Sequence, residues 1–237
     1  IPSSCGWLGL PLLASALRRT QAVVVRDRES YQALRKRGVE ARLSHDAAFA
    51  LSPTEPGVWS AEKLFARHGL SPDKTILLSV RSFDAIYPQD QAKFHTSMVE
   101  LATRLLDRGH QVAVMIQSDV NENDSDGNVA RQMQHAEPRL KRLNFIDDES
   151  IANPVETLIG ALMIARSVVA VRYHAAVLRM VGGRQPYHLH YSRKGRDLHQ
   201  RHGLTGCAVQ DLNPAEAVAD IEALAEADFK AHPLRKD

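Results

Sequence analysis

The 237-residue chain is poor in cysteine and in aromatic side chains. Its two cysteines, Cys5 and Cys207, match no metal or redox spacing, so a disulfide scaffold and a zinc module are excluded and both read as free thiols of a reducing compartment. Aromatic residues make up 5% of the chain, too few for a base-stacking platform, and the formal net charge of +2 gives no broad phosphate-backbone footprint. Nucleic acid is therefore not an expected partner. No apolar run reaches the ~18 residues that a membrane-spanning helix needs. A glycine-rich phosphate loop, a G-x-S-x-G elbow and an H-E-x-x-H pair are all missing. The opening Ile1-Pro2-Ser3-Ser4-Cys5-Gly6 has no basic segment leading into an apolar one, so it is no signal peptide and reads as a chain entered part-way through a domain.

What remains is a chain that is 44% apolar and 24% charged, close to an ordinary globular composition. Helical periodicity covers 8–17 and 29–37, with Asp27 as N-cap and Gly38 as stop, on either side of a β-branched run at 23–25. The Pro/Gly cluster at 52–59 reads as a linker. Beyond it, strands at 75–80, 111–116, 143–146, 168–171 and 186–190 alternate with helices at 89–108, 128–135, 154–165, 174–181, 194–202 and 214–229. Such alternation predicts a parallel sheet covered on both faces, with ligands at the carboxyl ends of the strands. The expected fold is thus α/β, with residues 59–237 as one complete unit and 1–58 as the last part of another. Trp7, Leu8, Leu10, Leu12 and Leu13 form an apolar run that a complete first unit would cover.

Three segments share one order: apolar strand, cation or histidine, helix start. They are Val23 to Asp27, Val168 to His174, and His188 to Lys194. Helix N-termini also present backbone N–H groups there, so Arg26, Arg172 and Lys194 are candidates to hold an anion with phosphate and carboxylate groups. His174, titrating near neutrality, is the candidate general acid or base. Extended geometry at the strand end predicts Arg172 and His174 on one side and Tyr173 on the other. Residues 119–124 begin like a calcium loop, but Asp124 stands where the sharp turn needs glycine, so the segment reads as a polar loop. His188 and His190, with His199 and His202, show no complete ligand set, and no metal or other cofactor is expected.

The same residues resemble the polysaccharide pyruvyl transferase family. Val24-Val25-Arg26-Asp27-Arg28-Glu29-Ser30, followed by Leu34 and Gly38-Val39, resembles the family's strand, RDxxS turn and helix. Asp46-Ala47-Ala48-Phe49 resembles its DPxF segment, with Ala47 in place of proline. Ala165 to Ala175 resembles its RxH segment through Arg172 and His174, and Gln185-Pro186 through Tyr191 and Lys194 its GxP…Y…K segment, with Gly183 one residue further from the proline. The resemblance implies a GT-B-like pair of Rossmann-type halves facing a cleft. It implies transfer of pyruvate from phosphoenolpyruvate to a saccharide, free or lipid-linked, of a cell-surface or exopolysaccharide precursor. Arg26, Arg172 and Lys194 would then bind the donor and His174 would be catalytic, in a cytoplasmic enzyme for which peripheral membrane association and homo-oligomerisation are open. The residues alone also allow a GT-B glycosyltransferase using a nucleotide sugar, or a non-catalytic anion-binding module of the same fold.

Overall fold

The computed structural model describes residues 9–82, 88–119 and 125–231; Cys5, Trp7, Leu8 and residues 120–124 of the polar loop lie outside them. Six strands form one fully parallel sheet: β3 (Thr75–Ser79), β4 (Gln111–Ile116), β5 (Lys141–Asn144), β6 (Ser167–Ala170), β7 (Tyr187–His190) and β8 (Gly206–Ala208), in the spatial order β5-β4-β3-β6-β7-β8. Every residue of β3 is buried, as a central strand covered on both faces requires. Alternate residues feed two cores. Leu77, Ala113, Met115, Val168 and Ala170 pack toward α3 (Glu55–Arg67), α6 (Pro154–Ile164) and α7 (Tyr173–Val181). Ile76, Leu78, Val112, Val114 and Val169 pack toward α4 (Pro88–Asp107), α5 (Asp126–Ala136) and α9 (Pro214–Ala231).

The first part of the chain adds α1 (Gly9–Leu17), β1 (Val24–Val25), α2 (Arg28–Arg35) and β2 (Arg42–Leu43), the two strands pairing in parallel as a separate sheet. Ala14, Leu34 and Val39 form its small core. Asp27 caps α2 by accepting the Ser30 N–H at 2.7 Å and hydroxyl at 2.8 Å, and Gly38 takes φ 68°, the left-handed turn that ends the helix.

The strands and most helices stand where periodicity places them, but the linker at 52–59 needs correcting. Thr54 accepts the Gly57 N–H at 3.2 Å and starts α3 at Glu55, with Pro56 in the first turn, where its missing N–H costs nothing. Proline and glycine mark a helix start there, and α3 continues to Arg67 against α6. Gly57 and Gly160 allow that approach: a Cβ on Gly57 would lie 2.6 Å from the Glu156 carbonyl, and one on Gly160 2.5 Å from the Gly57 carbonyl. β2 and β8, of two and three residues, are too short to give a periodic signal.

The order of strands reverses between β3 and β6, the neighbours from which the chain proceeds in opposite directions across the sheet. A crevice at the carboxyl ends of such a pair is where a doubly wound sheet binds ligands. α8 (Arg193–His202) starts just after β7 at that same end.

Candidate functional site

A buried carboxylate sits at the reversal point. Asp126, at 0% exposure, accepts Arg172 Nε at 3.0 Å and Arg172 Nη2 at 2.6 Å. It also accepts the backbone N–H groups of Gln117 and Ser118, each at 3.1 Å. The backbone N–H of Arg172 and the Gln117 amide both donate to Ser79 Oγ, at 3.2 and 2.7 Å. One network therefore ties the ends of β3, β4 and β6 together. Sequence reasoning put Arg172 at the right strand end, but two of its nitrogens are committed to Asp126, and Asp126 itself was missed.

Around this network the remaining cations gather on Tyr173. The Arg26 guanidinium lies 5.0 Å from the centroid of its ring and the Lys194 ammonium 5.3 Å, within reach of the cation–π attraction. This corrects the expectation that Tyr173 points away. Arg172 is the N-cap and α7 already begins at Tyr173, so successive side chains turn by ~100° rather than alternating across a strand. Tyr173 is buried against the α3, α6 and α7 core.

Arg26 pairs with Asp46, which also accepts the Ala48 N–H at 3.0 Å. Burial opposes the charge of Asp46, but the Ala48 N–H and Arg26 outweigh it, and its carboxyl is held below the usual range. His174 Nε2 lies 3.8 Å from the other Asp46 oxygen, too long for a hydrogen bond but close enough to steady an imidazolium. Although 57% of its side chain is exposed, partial desolvation, with Arg26 and Lys194, moves the His174 pKa down against the pull of Asp46, which favours the neutral ring. Lys194 is likewise pushed below its ordinary value, by burial, then by Arg26 and Arg81, with Arg172 adding to the effect and Asp46 opposing it.

Arg81 is the second residue missed. It follows β3 and Val80, so it obeys the same order of apolar strand and cation that singled out Arg26 and Arg172. It stacks over Tyr191 with 5.2 Å from guanidinium to ring centroid, and donates to the Tyr191 hydroxyl. Three strand ends, after β1, β3 and β6, thus each deliver a cation to the surroundings of Lys194, which itself follows β7.

The histidines beyond β7 form a separate group. The rings of His188, His190 and His199 lie with centroids 4.9 to 6.1 Å apart, and His188 is 1% exposed. Among the described residues no three His, Cys, Asp or Glu side chains are gathered as a cage for a metal ion. Cys207 is a free thiol 3.9 Å from the Tyr187 hydroxyl.

The six-stranded parallel sheet flanked by helices, with cations near the carboxyl ends of its strands, makes this an α/β protein of Rossmann-like fold. The chain belongs to the polysaccharide pyruvyl transferase family, which it matches over residues 1–191. The match takes in Arg26, Arg81, Asp126, Arg172 and His174 and stops three residues short of Lys194. No curated protein matches the chain. Among the described residues no helix is long and apolar enough to cross a membrane.

Proposed function

We propose that the chain transfers the pyruvyl group of phosphoenolpyruvate to two hydroxyls of a saccharide, within the synthesis of a cell-surface polysaccharide. The observation that carries this reading is the set of cations around Lys194. Arg26, Arg81 and Arg172 come from separate strand ends, and burial first, then their field against the pull of Asp46, holds the lysine below its ordinary pKa. Asp46 and Asp126 answer Arg26 and Arg172, which leaves Lys194 as the cation best placed to meet an anion. Phosphoenolpyruvate brings a phosphate and a carboxylate on one three-carbon frame, and charge-assisted bonds from Lys194, Arg26 and Arg81 suit both groups.

The reaction forms two bonds from sugar oxygens to the central carbon of the donor and breaks its bond to the phosphate oxygen. The two hydroxyl protons end on the methylene carbon, which becomes a methyl, and on the departing phosphate. Neutral His174 accepts a hydroxyl proton as the sugar oxygen attacks, and Asp46 steadies the imidazolium that results. The cations hold the phosphate as it leaves and stabilise the charge it gathers. Arg172, held on Asp126, adds field to the site and fixes the start of α7, on which His174 rides. A cytoplasmic location belongs to this reading, and so does a division into two units, its boundary moved ahead of α3 because residues 58 and 59 lie inside that helix.

Calorimetry with phosphoenolpyruvate and with uridine diphosphate tests it. Binding of the first, lost in Lys194→Ala and Arg81→Ala, is the expected result, together with phosphate release when saccharides with paired free hydroxyls are added. Binding of uridine diphosphate alone would place the chain with nucleotide-sugar transferases, and binding of neither would make it a module without this chemistry.

A further inference from the structure

Three of the four candidate site residues meet on one aromatic ring. Tyr173 fills the open middle position of the RxH segment, so the family resemblance assigns it no role. Arg26 stands 5.0 Å and Lys194 5.3 Å from the centroid of its ring, and the His174 ring lies edge-on to it with centroids 5.4 Å apart. The three come from different elements: Arg26 follows β1 of the small sheet, Lys194 lies in the first turn of α8, and His174 in the first turn of α7. Tyr173 is 7% exposed and belongs to the core with Ala176 and Val177, so close packing fixes its ring. Among the described residues its hydroxyl makes no hydrogen bond, and the ring is what the neighbours meet.

An aromatic ring does something here that a carboxylate cannot. Asp46 and Asp126 hold Arg26 and Arg172 by neutralising them. A ring attracts a cation through its quadrupole and adds no negative charge, so the cation keeps its field for an anion. Lys194 has the greater need of this. Among the described residues it makes no ion pair, while burial and three arginines favour loss of its proton or escape of its head to water. Arg81 repeats the arrangement, its guanidinium lying 5.2 Å from the centroid of the Tyr191 ring.

We propose that Tyr173 is a positioning residue of the anion site: its ring holds the Lys194 ammonium beside Arg26 and His174 and leaves the charge of the lysine unneutralised. This rests on the reading of the site as one that takes phosphoenolpyruvate, and it concerns binding rather than the transfer step.

Calorimetry with phosphoenolpyruvate on the parent chain, Tyr173→Phe and Tyr173→Leu tests it. Phenylalanine keeps the aromatic face, and that variant should bind within about twofold of the parent. Leucine keeps apolar bulk without the face, and that variant should bind about fivefold to thirtyfold more weakly, since each of two cation–π contacts is worth roughly two- to fivefold. Tyr173→Met serves the same purpose should the leucine variant fail to fold, which thermal melting reveals. Leu178→Val loosens the same core on α7 away from the cations and should leave affinity unchanged. A phenylalanine variant as weak as the leucine one, a leucine variant equal to the parent, or an equal loss in Leu178→Val would overturn the proposal while the donor reading stands. If the parent binds inorganic phosphate but not phosphoenolpyruvate, the donor reading fails and phosphate becomes the probe for the same series. Binding of neither anion by the parent would end both.

Discussion

Replacing Asp126 by Asn is the sharpest perturbation of the site's frame. The substitution keeps size and shape but removes the charge that holds Arg172, whose side chain is only 15% exposed. Three bonds from the guanidinium and two from backbone N–H groups converge on that carboxylate, at 2.6 to 3.1 Å. Breaking one partner of a buried ion pair costs about 3–5 kcal/mol, because the other charge is left without compensation. At about 2–4 °C per kcal/mol for a domain of this size, Tm should fall by about 6–20 °C. Urea unfolding and thermal melting of Asp126→Asn, Arg172→Met and Asp126→Asn/Arg172→Met complete the cycle. The double variant should be more stable than Asp126→Asn, since it buries no unpaired charge. A loss under about 1 kcal/mol in Asp126→Asn, or additive single effects, would refute the claim that this pair anchors the site. The cycle also separates the two roles open to Arg172. An anchor loses stability first, with donor affinity following only through the displaced start of α7, whereas a donor ligand loses affinity at unchanged Tm.

Three further outcomes follow from the structure. The acid limb of kcat/KM should lie below pH 6.5, because the base form of His174 is favoured by burial and by Arg26 and Lys194; Asp46→Asn removes the charge that opposes them and should shift that limb further down, so an upward shift would count against His174 as the base. Gly57→Ala should destabilise the chain by about 1–3 kcal/mol in urea unfolding, as overpacking does, since the added methyl meets the Glu156 carbonyl rather than a movable side chain; an unchanged midpoint would mean that α3 and α6 move apart freely. Burial, with His199 and His190, pushes the His188 pKa down to about 3, so between that value and the unfolded 6.5 the unfolded chain binds a proton that the fold refuses, and stability falls by about 1.4 kcal/mol for each unit of pH lost. His188→Leu should remove that slope, its Nδ1 being buried without a partner; parallel pH profiles for the two proteins would show that His188 does not carry it.

The sheet was legible because its strands are covered on both faces. Runs such as Thr75–Ser79 and Ser167–Ala170 are continuous, buried and bounded by turn residues, and the helices between them fix a parallel direction. Strand order was not legible, since no local pattern distinguishes β3 beside β6 from β3 beside β5. Nor was α3, whose Thr54-Glu55-Pro56-Gly57 start carries the residues of a loop. Its first turn is helical because Thr54 caps it and also donates to Glu156 at 2.9 Å, and because Gly57 fits against the backbone of α6. Those partners are a hundred residues away, beyond any window of periodicity.

The candidate site divides along the same line. Arg26, Arg172, His174 and Lys194 could be read because each follows its own strand, and position along one strand is local information. Arg81 follows the same rule, so the signal for it was present and unused. Asp126 obeys no such rule: it stands in the first turn of α5 after a polar loop, and only the reversal of strand order brings it under Arg172. The difference is physical. A cation at a strand end announces a role through what precedes it, whereas the carboxylate that fixes or neutralises it is chosen by the topology of the sheet. Arg26 and Asp46 repeat the point, twenty residues apart and joined across the ends of β1 and β2. Reading cations from sequence therefore overstates how many are open to a ligand. Here Arg26 and Arg172 each hold a carboxylate, and the group best placed to meet an anion is Lys194, whose pKa is lowered by three arginines and raised by one carboxylate.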